Sequence, residues 1–294
     1  MVTMEDRERA RFELQERIDA DKGQSERNRL GQFATPPELA SDIVAYAVPL
    51  LSSRLKIRFL EPGFGTGPFY SALLRQISPS RIEAAVGYEI DPYCAESAER
   101  LWKETGLCLY TADFTTTEPP KAEAAKYNLV VCNPPYVRHH HLSQIQKREL
   151  QRSIARYLNL EMNGLGGLYT YFMVLSQAWM AKEGVGAWLI PSEFMDVNYG
   201  HRVKEFLMER VTLSRIHRFD PNNVQFGDAL VSSAVIFFKN SPPPSGHEVE
   251  FTFGGMLAKP TVSGSIGLAD LRYISKWTVL PQSIPRRNGK HNGI

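Results

Sequence analysis

Cysteine is scarce in this chain. The three cysteines, Cys94, Cys108 and Cys132, are odd in number and lack the spacing of metal ligands. Together these facts argue for reduced thiols in a reducing compartment. Long apolar runs are also missing: none approaches the roughly 20 residues that cross a bilayer. The opening MVTMEDRERARF is charged and has no signal-peptide core. A soluble, cytoplasmic protein with no membrane contact is therefore expected. Charge of one sign is lacking too, because the formal net charge over 294 residues is only +2. Any surface built for a polyanion must therefore be local. No Gly-Lys-Ser/Thr follows the glycine-rich turn near residue 65, which excludes a P-loop. No acidic and lysine spacing suggests a nuclease.

What is present is an ordinary globular mixture, 43% hydrophobic and 22% charged. The length suits one large α/β domain with a small appendage. Residues 1–30 read as a charged surface helix, with Phe12, Leu14 and Ile18 as its scattered apolar positions. Thr35, Pro36, Pro37 and Glu38 read as a capping box with proline in the first turn. Short apolar runs then alternate with amphipathic segments. IRFLEP, AAVGYEI, LCLYTAD, NLVVCNPP and GAWLIPSEF are strands, and PFYSALLRQI, PYCAESAERLWKE and RVKEFLMER are helices. SQIQKRELQRSIARYL is a further helix with a Ser143/Gln146 capping box, and GLYTYFMVLSQAWMAK is a largely buried one. SRIHRFD and SSAVIFFK follow each other with no helix between them, so one of them runs antiparallel. The alternation predicts an α/β, doubly wound, mostly parallel sheet with helices on both faces. After about residue 240 the proline-rich NSPPPSGHE reads as a linker. The division is thus 1–30, 31–240 and 241–294, with the last segment too short for an independent domain.

FLEPGFGTGPF places Gly63, Gly65 and Gly67 between a strand and a helix, where a backbone must turn tightly and approach a ligand. Glu89 ends the next strand, where a carboxylate can accept both hydroxyls of a ribose. Asp113 ends the third and can accept from an adenine amino group, with Ile90 and Phe114 flanking the ring. A nicotinamide cofactor is the rival. Glu61 and Pro62 precede the first glycine, and an acid there suits the ammonium of S-adenosylmethionine better.

The fourth strand ends in Asn133-Pro134-Pro135-Tyr136. This resembles the motif of methyltransferases that act on planar amino groups. In those enzymes the asparagine side chain and the carbonyl of the first proline accept hydrogen bonds from the target NH2. Such an amine is a poor nucleophile, because its lone pair is delocalised. Two acceptors draw it towards a tetrahedral geometry. Pro135 restricts Pro134 and so helps aim that carbonyl. Tyr136 can stack on an extruded base.

GQFATPP, FLEPGFGTGPF, GYEIDP, ADF, NPPYVR and FGDALVSSAVIFF occur in this order, over about residues 31–239. The set resembles the gamma-class adenine methyltransferases of restriction–modification systems. The resemblance implies a seven-stranded Rossmann-like sheet and S-adenosylmethionine as cofactor. The implied substrate is an adenine flipped out of double-stranded DNA. By match, Phe33 and Thr35 lie beside the methionine end of the cofactor, and Phe226 stacks on the flipped base. Arg138 is a candidate DNA contact. His139, His140 and His141 read as DNA-facing or as a plain solvated loop rather than metal-binding, so no metal is expected. Lys147, Arg148, Arg152, Arg156, His217 and Arg218 are either a basic edge or a solvated face. The family's C-terminal recognition region is expected to be short or missing, with a separate specificity subunit or a restriction endonuclease as candidate partner. The competing functions are a protein-glutamine or RNA methyltransferase, and a cofactor-binding subunit that needs a partner to recognise DNA.

Overall fold

Strand β1 (Ile57–Glu61) buries Ile57, Phe59 and Leu60 completely. Side chains on both of its faces are therefore covered, as a central parallel strand flanked by helices requires. The computed structural model describes residues 3–21, 23, 26–27, 30–162, 166–196, 200–220 and 232–283. Around β1 stand β2 (Ile82–Glu89), β3 (Leu107–Thr111), β4 (Tyr127–Cys132) and β5 (Met180–Pro191). Then follow β6 (Thr212–Arg218), β7 (Ser233–Lys239), β8 (Glu248–Met256) and β9 (Lys259–Gly267). The sheet order is β3-β2-β1-β4-β5-β7-β6-β8-β9. β1 to β5 pair in parallel, whereas β7 runs antiparallel between β5 and β6. The antiparallel strand expected near the end is thus β7.

The sheet has nine strands rather than the expected seven. β8 pairs in parallel with β6, and β9 closes a hairpin on β8. The sheet therefore crosses the division drawn at residue 240. Its signal is the alternation of Val249 and Phe251, both buried, with Glu248 and Glu250, a pattern of period two. The preceding proline-rich linker masks that signal.

Helices cover both faces. On one lie α2 (Pro37–Ala47) and α3 (Pro68–Gln76), whose Ile43, Val44, Phe69 and Leu73 pack with Phe59, Leu129 and Val131 of the sheet. On the other lie α5 (Gln144–Leu158), α6 (Leu168–Ser176) and α7 (Gly200–Glu209). They pack with Leu60, Val130 and Trp188. α1 (Met4–Asp21) and α4 (Pro92–Leu101) sit together, joined by Leu14, Ile18 and Cys94. The short α8 (Leu268–Leu271) follows β9.

The Ser143/Gln146 capping box of α5 is present in full. The box expected at Thr35 is not: Pro36 is the N-cap of α2 and no side chain caps it. Thr35 is buried and its hydroxyl serves the site instead. The helix expected over 167–182 ends at Ser176, and Met180 starts β5 by pairing with Tyr127 of β4. Strand pairing overrides the local helical pattern there.

Candidate active site

The strand order reverses at β1, which lies between β2 and β4. A crevice outside the carboxyl ends of the strands is expected at that point. A cavity of about 540 Å³ opens there, a size that suits a nucleoside-containing ligand. Most of the expected cofactor residues line it: Phe33, Thr35, Glu61, Pro62, Gly63, Gly65, Glu89, Ile90, Asp113, Phe114 and Asn133. Pro134 and Pro135 line it as well.

Gly67 does not. It is the left-handed N-cap of α3, with φ of 81°, and a Cβ there would meet the Phe64 ring at 2.4 Å. Its role is to turn the chain into the helix beneath Phe64 and Trp102.

Two carboxylates organise the glycine loop. Glu89 Oε2 accepts from the Gly65 N–H at 2.8 Å, and Oε1 from the Asp91 N–H at 2.9 Å. Glu61 is fully buried; Oε2 accepts from the Tyr70 N–H at 3.1 Å, while Oε1 has no partner among the described residues. Burial pushes the Glu61 carboxyl well above the usual carboxylate range, partly offset by the Tyr70 and Phe69 amides. Burial raises Glu89 too, against the Asp91 and Gly65 amides. Asp113 Oδ1 accepts from the backbone and hydroxyl of Thr115 at 2.8 and 2.7 Å, which fixes the turn after β3. Ile90 is 63% exposed on the cavity wall. Phe114 is buried against Trp179, with ring centroids 5.1 Å apart.

Asn133 is the most constrained polar group. Its Nδ2 donates to the Phe33 carbonyl at 2.9 Å and to the Thr35 hydroxyl at 3.1 Å. A carbonyl can only accept, so the NH2 end of the amide must face Phe33. The other end, Oδ1, is buried with no partner among the described residues. A buried acceptor held without a donor is costly.

The GQFATPP segment reaches Asn133 because it lies against the turn after β4. The Gly31 carbonyl accepts from the Tyr136 N–H at 2.9 Å. Gly31 has φ of 63°, and a Cβ there would fall 2.4 Å from the Tyr136 nitrogen, so only glycine allows this approach.

Tyr136 itself is buried and lies off the cavity wall. Its hydroxyl donates to the Leu189 carbonyl at 3.2 Å, and its ring lies 5.4 Å from Phe33. In this conformation it braces the turn. Phe226 lies outside the described residues. Arg138 is exposed and also off the cavity wall, whereas His141 lines it. Among the described residues no cluster of three His, Cys, Asp or Glu could hold a metal.

The remaining basic candidates divide. Arg148 and Arg152 are exposed, and Arg156 is exposed but paired with Glu118 at 3.0 Å. His217 is fully buried, bonded through Nδ1 to the Thr252 hydroxyl at 2.8 Å. Burial and the Arg215 charge pull its pKa down to about 4. It is a neutral core histidine rather than a DNA contact. Arg218 lies over the Phe253 ring at 4.6 Å.

Two groups of wall residues escape sequence reasoning. Gln146 and Glu149 of α5 line the cavity, on a helix read only for its capping box and its basic edge. Gln15, Ile18 and Asp19 of α1 line it as well, with Arg27. Nothing in the local pattern of either helix reports what it faces.

The fold is shared with solved methyltransferase structures. The methyltransferase subunit of a type I restriction-modification system from Streptococcus thermophilus superposes with a TM-score of 0.61. The match is 16% identical and covers 75% of this chain and 47% of that one. A Listeria monocytogenes protein assigned as a class I S-adenosylmethionine-dependent methyltransferase superposes with a TM-score of 0.60. That match is 15% identical and covers 78% of this chain and 68% of the other. Residues 86–225 match the family model of the Eco57I restriction-modification methylase. The Type II methyltransferase M.AccI of Acinetobacter calcoaceticus is 30% identical over 215 residues, 73% of this chain and 37% of the relative. The chain thus spans under two fifths of the length of the curated relatives it matches.

Proposed function

We propose that this chain transfers a methyl group from S-adenosylmethionine to the exocyclic amino nitrogen of an adenine flipped out of double-stranded DNA. In this reading it is the modification activity of a restriction–modification system, as its relatives' names indicate for them. The observation that carries the reading is the orphaned Asn133 Oδ1, held in place by Phe33 and Thr35.

The residues fit the cofactor. Glu61 Oε1 is a buried acceptor without a donor, which suits an ammonium. Glu89 already holds the glycine loop and lines the cavity where ribose hydroxyls would meet it. Ile90 and Phe114 offer apolar surface to an adenine ring. When bound, the cofactor supplies a methyl group on a positively charged sulfur, and the sulfur is neutral after transfer.

The chain's own part is to prepare the nucleophile. Asn133 Oδ1 accepts one N–H of the target amine, and the Pro134 carbonyl accepts the other. These acceptors favour a tetrahedral nitrogen and stabilise the positive charge that grows on it as its lone pair attacks the methyl carbon. The nitrogen passes its excess proton to solvent after the transfer. Positioned acceptors of this kind act mainly on the transition state. Tyr136 holds the turn that carries both acceptors. Arg138 and Phe226 are the proposed contacts to the DNA backbone and the flipped base.

The methyltransferase unit of this reading includes residues 31–240, with the β8–β9 hairpin extending its sheet. A specificity subunit or a restriction endonuclease is the proposed protein partner. Incubation with methyl-labelled cofactor and DNA, RNA or cell protein in parallel tests the substrate class. Label in DNA alone supports the reading. Label in RNA or in protein glutamine overturns it.

A further inference from the structure

The N-terminal helix α1 lies outside the matched family segment, which begins at residue 86. It is nevertheless fastened to the glycine loop by a continuous polar seam. Arg11, only 2% exposed, donates from one guanidinium nitrogen to the Thr66 hydroxyl at 3.2 Å. The Thr66 hydroxyl in turn donates to Gln15 Oε1 at 3.0 Å. Gln15 Nε2 then donates to Asp19 Oδ1 at 3.0 Å. Behind Arg11, Glu8 accepts two guanidinium bonds and the Ser71 hydroxyl. Thr66 belongs to the glycine loop and Ser71 to α3, so the seam ties the helix to the loop that bounds the cavity. Gln15, Ile18 and Asp19 form part of the cavity wall.

The apolar side of this docking is thin. Only Leu14 and Ile18 among the helix's apolar residues are buried, against Cys94 of α4. A helix held by so little apolar surface opens locally at low free energy. A ligand that touches it will therefore change how firmly it docks.

We infer that α1 is a wall of the cofactor site, with Asp19 as a polar contact near the ribose end, and that helix docking and cofactor binding reinforce each other. The ribose end is the one concerned because the helix packs between Thr66 in the glycine loop and Cys94, which follows Glu89 by five residues. Asp19 is an acceptor, as ribose hydroxyls require. It pairs with Arg27 at 3.4 Å, and both residues line the cavity. The inference rests on S-adenosylmethionine being the cofactor.

Hydrogen exchange of the full chain, with and without saturating S-adenosylmethionine, tests it together with calorimetric affinities. The account predicts that amides of residues 4–21 slow by about fivefold or more when cofactor is present. It also predicts that Asp19→Ala and Arg11→Met each weaken cofactor binding about tenfold, while Lys259→Ala on the distant β9 leaves it unchanged. Protection confined to the glycine loop and the Glu89 region, with variants that bind as the wild type does, overturns the role of α1 and leaves the cofactor reading standing. Absence of binding by the wild-type chain overturns the cofactor reading and this inference with it. The exchange measurement on the wild type decides the matter even where a variant fails to fold.

Discussion

Asn133 and Thr35, 98 residues apart in sequence, are joined by a 3.1 Å hydrogen bond from the asparagine Nδ2 to the threonine hydroxyl. The bond runs between the turn after β4 and the segment before α2. With the Phe33 carbonyl it determines which end of the amide is left without a partner among the described residues. The site's main acceptor is therefore positioned from outside its own motif.

Thr35→Val should leave Asn133 with one anchor instead of two. Turnover is expected to fall about tenfold, the order of one hydrogen bond, with cofactor affinity little changed. Thr35→Ser should restore most of it. Single-turnover rates alongside calorimetric affinities check this. A purely structural role for Thr35 would lower both quantities together.

Asn133→Ala removes the acceptor itself. A loss of about 10²–10³ in the rate of methyl transfer is expected, the scale of one transition-state hydrogen bond. Cofactor binding should survive. Equal losses of binding and turnover would contradict the division of roles between Asn133 and the glycine loop.

Cofactor binding should be linked to pH through Glu61. Burial raises its carboxyl, and a cation beside Oε1 favours the ionised form. Binding should therefore release a proton where pH lies near or below the raised pKa, and affinity should weaken as pH falls through it. Calorimetry in buffers of different ionisation enthalpy measures the released protons. Glu61→Gln should abolish the release. Unaltered proton release in that variant would place the titrating group elsewhere.

His217 predicts an acid limb of stability. Its pKa lies at about 4 in the folded chain against a reference value of 6.5. The folded state thus binds fewer protons than the unfolded one below pH 6.5. The contribution is complete above pH 6.5 and is lost as pH falls towards about 4. Fully developed, it amounts to about 3 kcal/mol. The stability of His217→Gln, followed by denaturant unfolding, should fall less steeply than wild type across that interval. Parallel curves would show that His217 does not carry the slope.

Gly31→Ala should destabilise the chain by about 2 kcal/mol or more, because its Cβ would strike the turn backbone. Thermal melting measures it. A melting temperature equal to that of the wild type would mean that the GQFATPP segment does not need this close approach.

Much of this site was legible in the sequence because its parts lie at the ends of apolar runs. Glu61, Glu89, Asp113 and Asn133 each close or follow a strand, and a parallel sheet brings such positions to one edge. The alternation of strands and helices gave the layers by the same logic. What was not legible depends on tertiary contact. Thr35 has the local signature of a cap, yet Asn133 captures its hydroxyl. Tyr136 reads as a stacking ring, and no local pattern reports that its hydroxyl is tied to Leu189 inside the fold. α1 reads as a solvated helix because Arg11, its most buried polar residue, is satisfied by partners that no local pattern announces. The β8–β9 hairpin alternates plainly, but it follows a proline-rich stretch that reads as an end of the domain.

The central claim is methyl transfer to the adenine amino group. Its most direct test is mass spectrometry of nucleosides from adenine-unmethylated DNA incubated with the protein and S-adenosylmethionine. The account predicts N6-methyladenine with the wild type and about a hundredfold less, or lower still, in the same time with Asn133→Ala. Methyl groups on the cytosine amino nitrogen instead, or N6-methyladenine undiminished in Asn133→Ala, would contradict it.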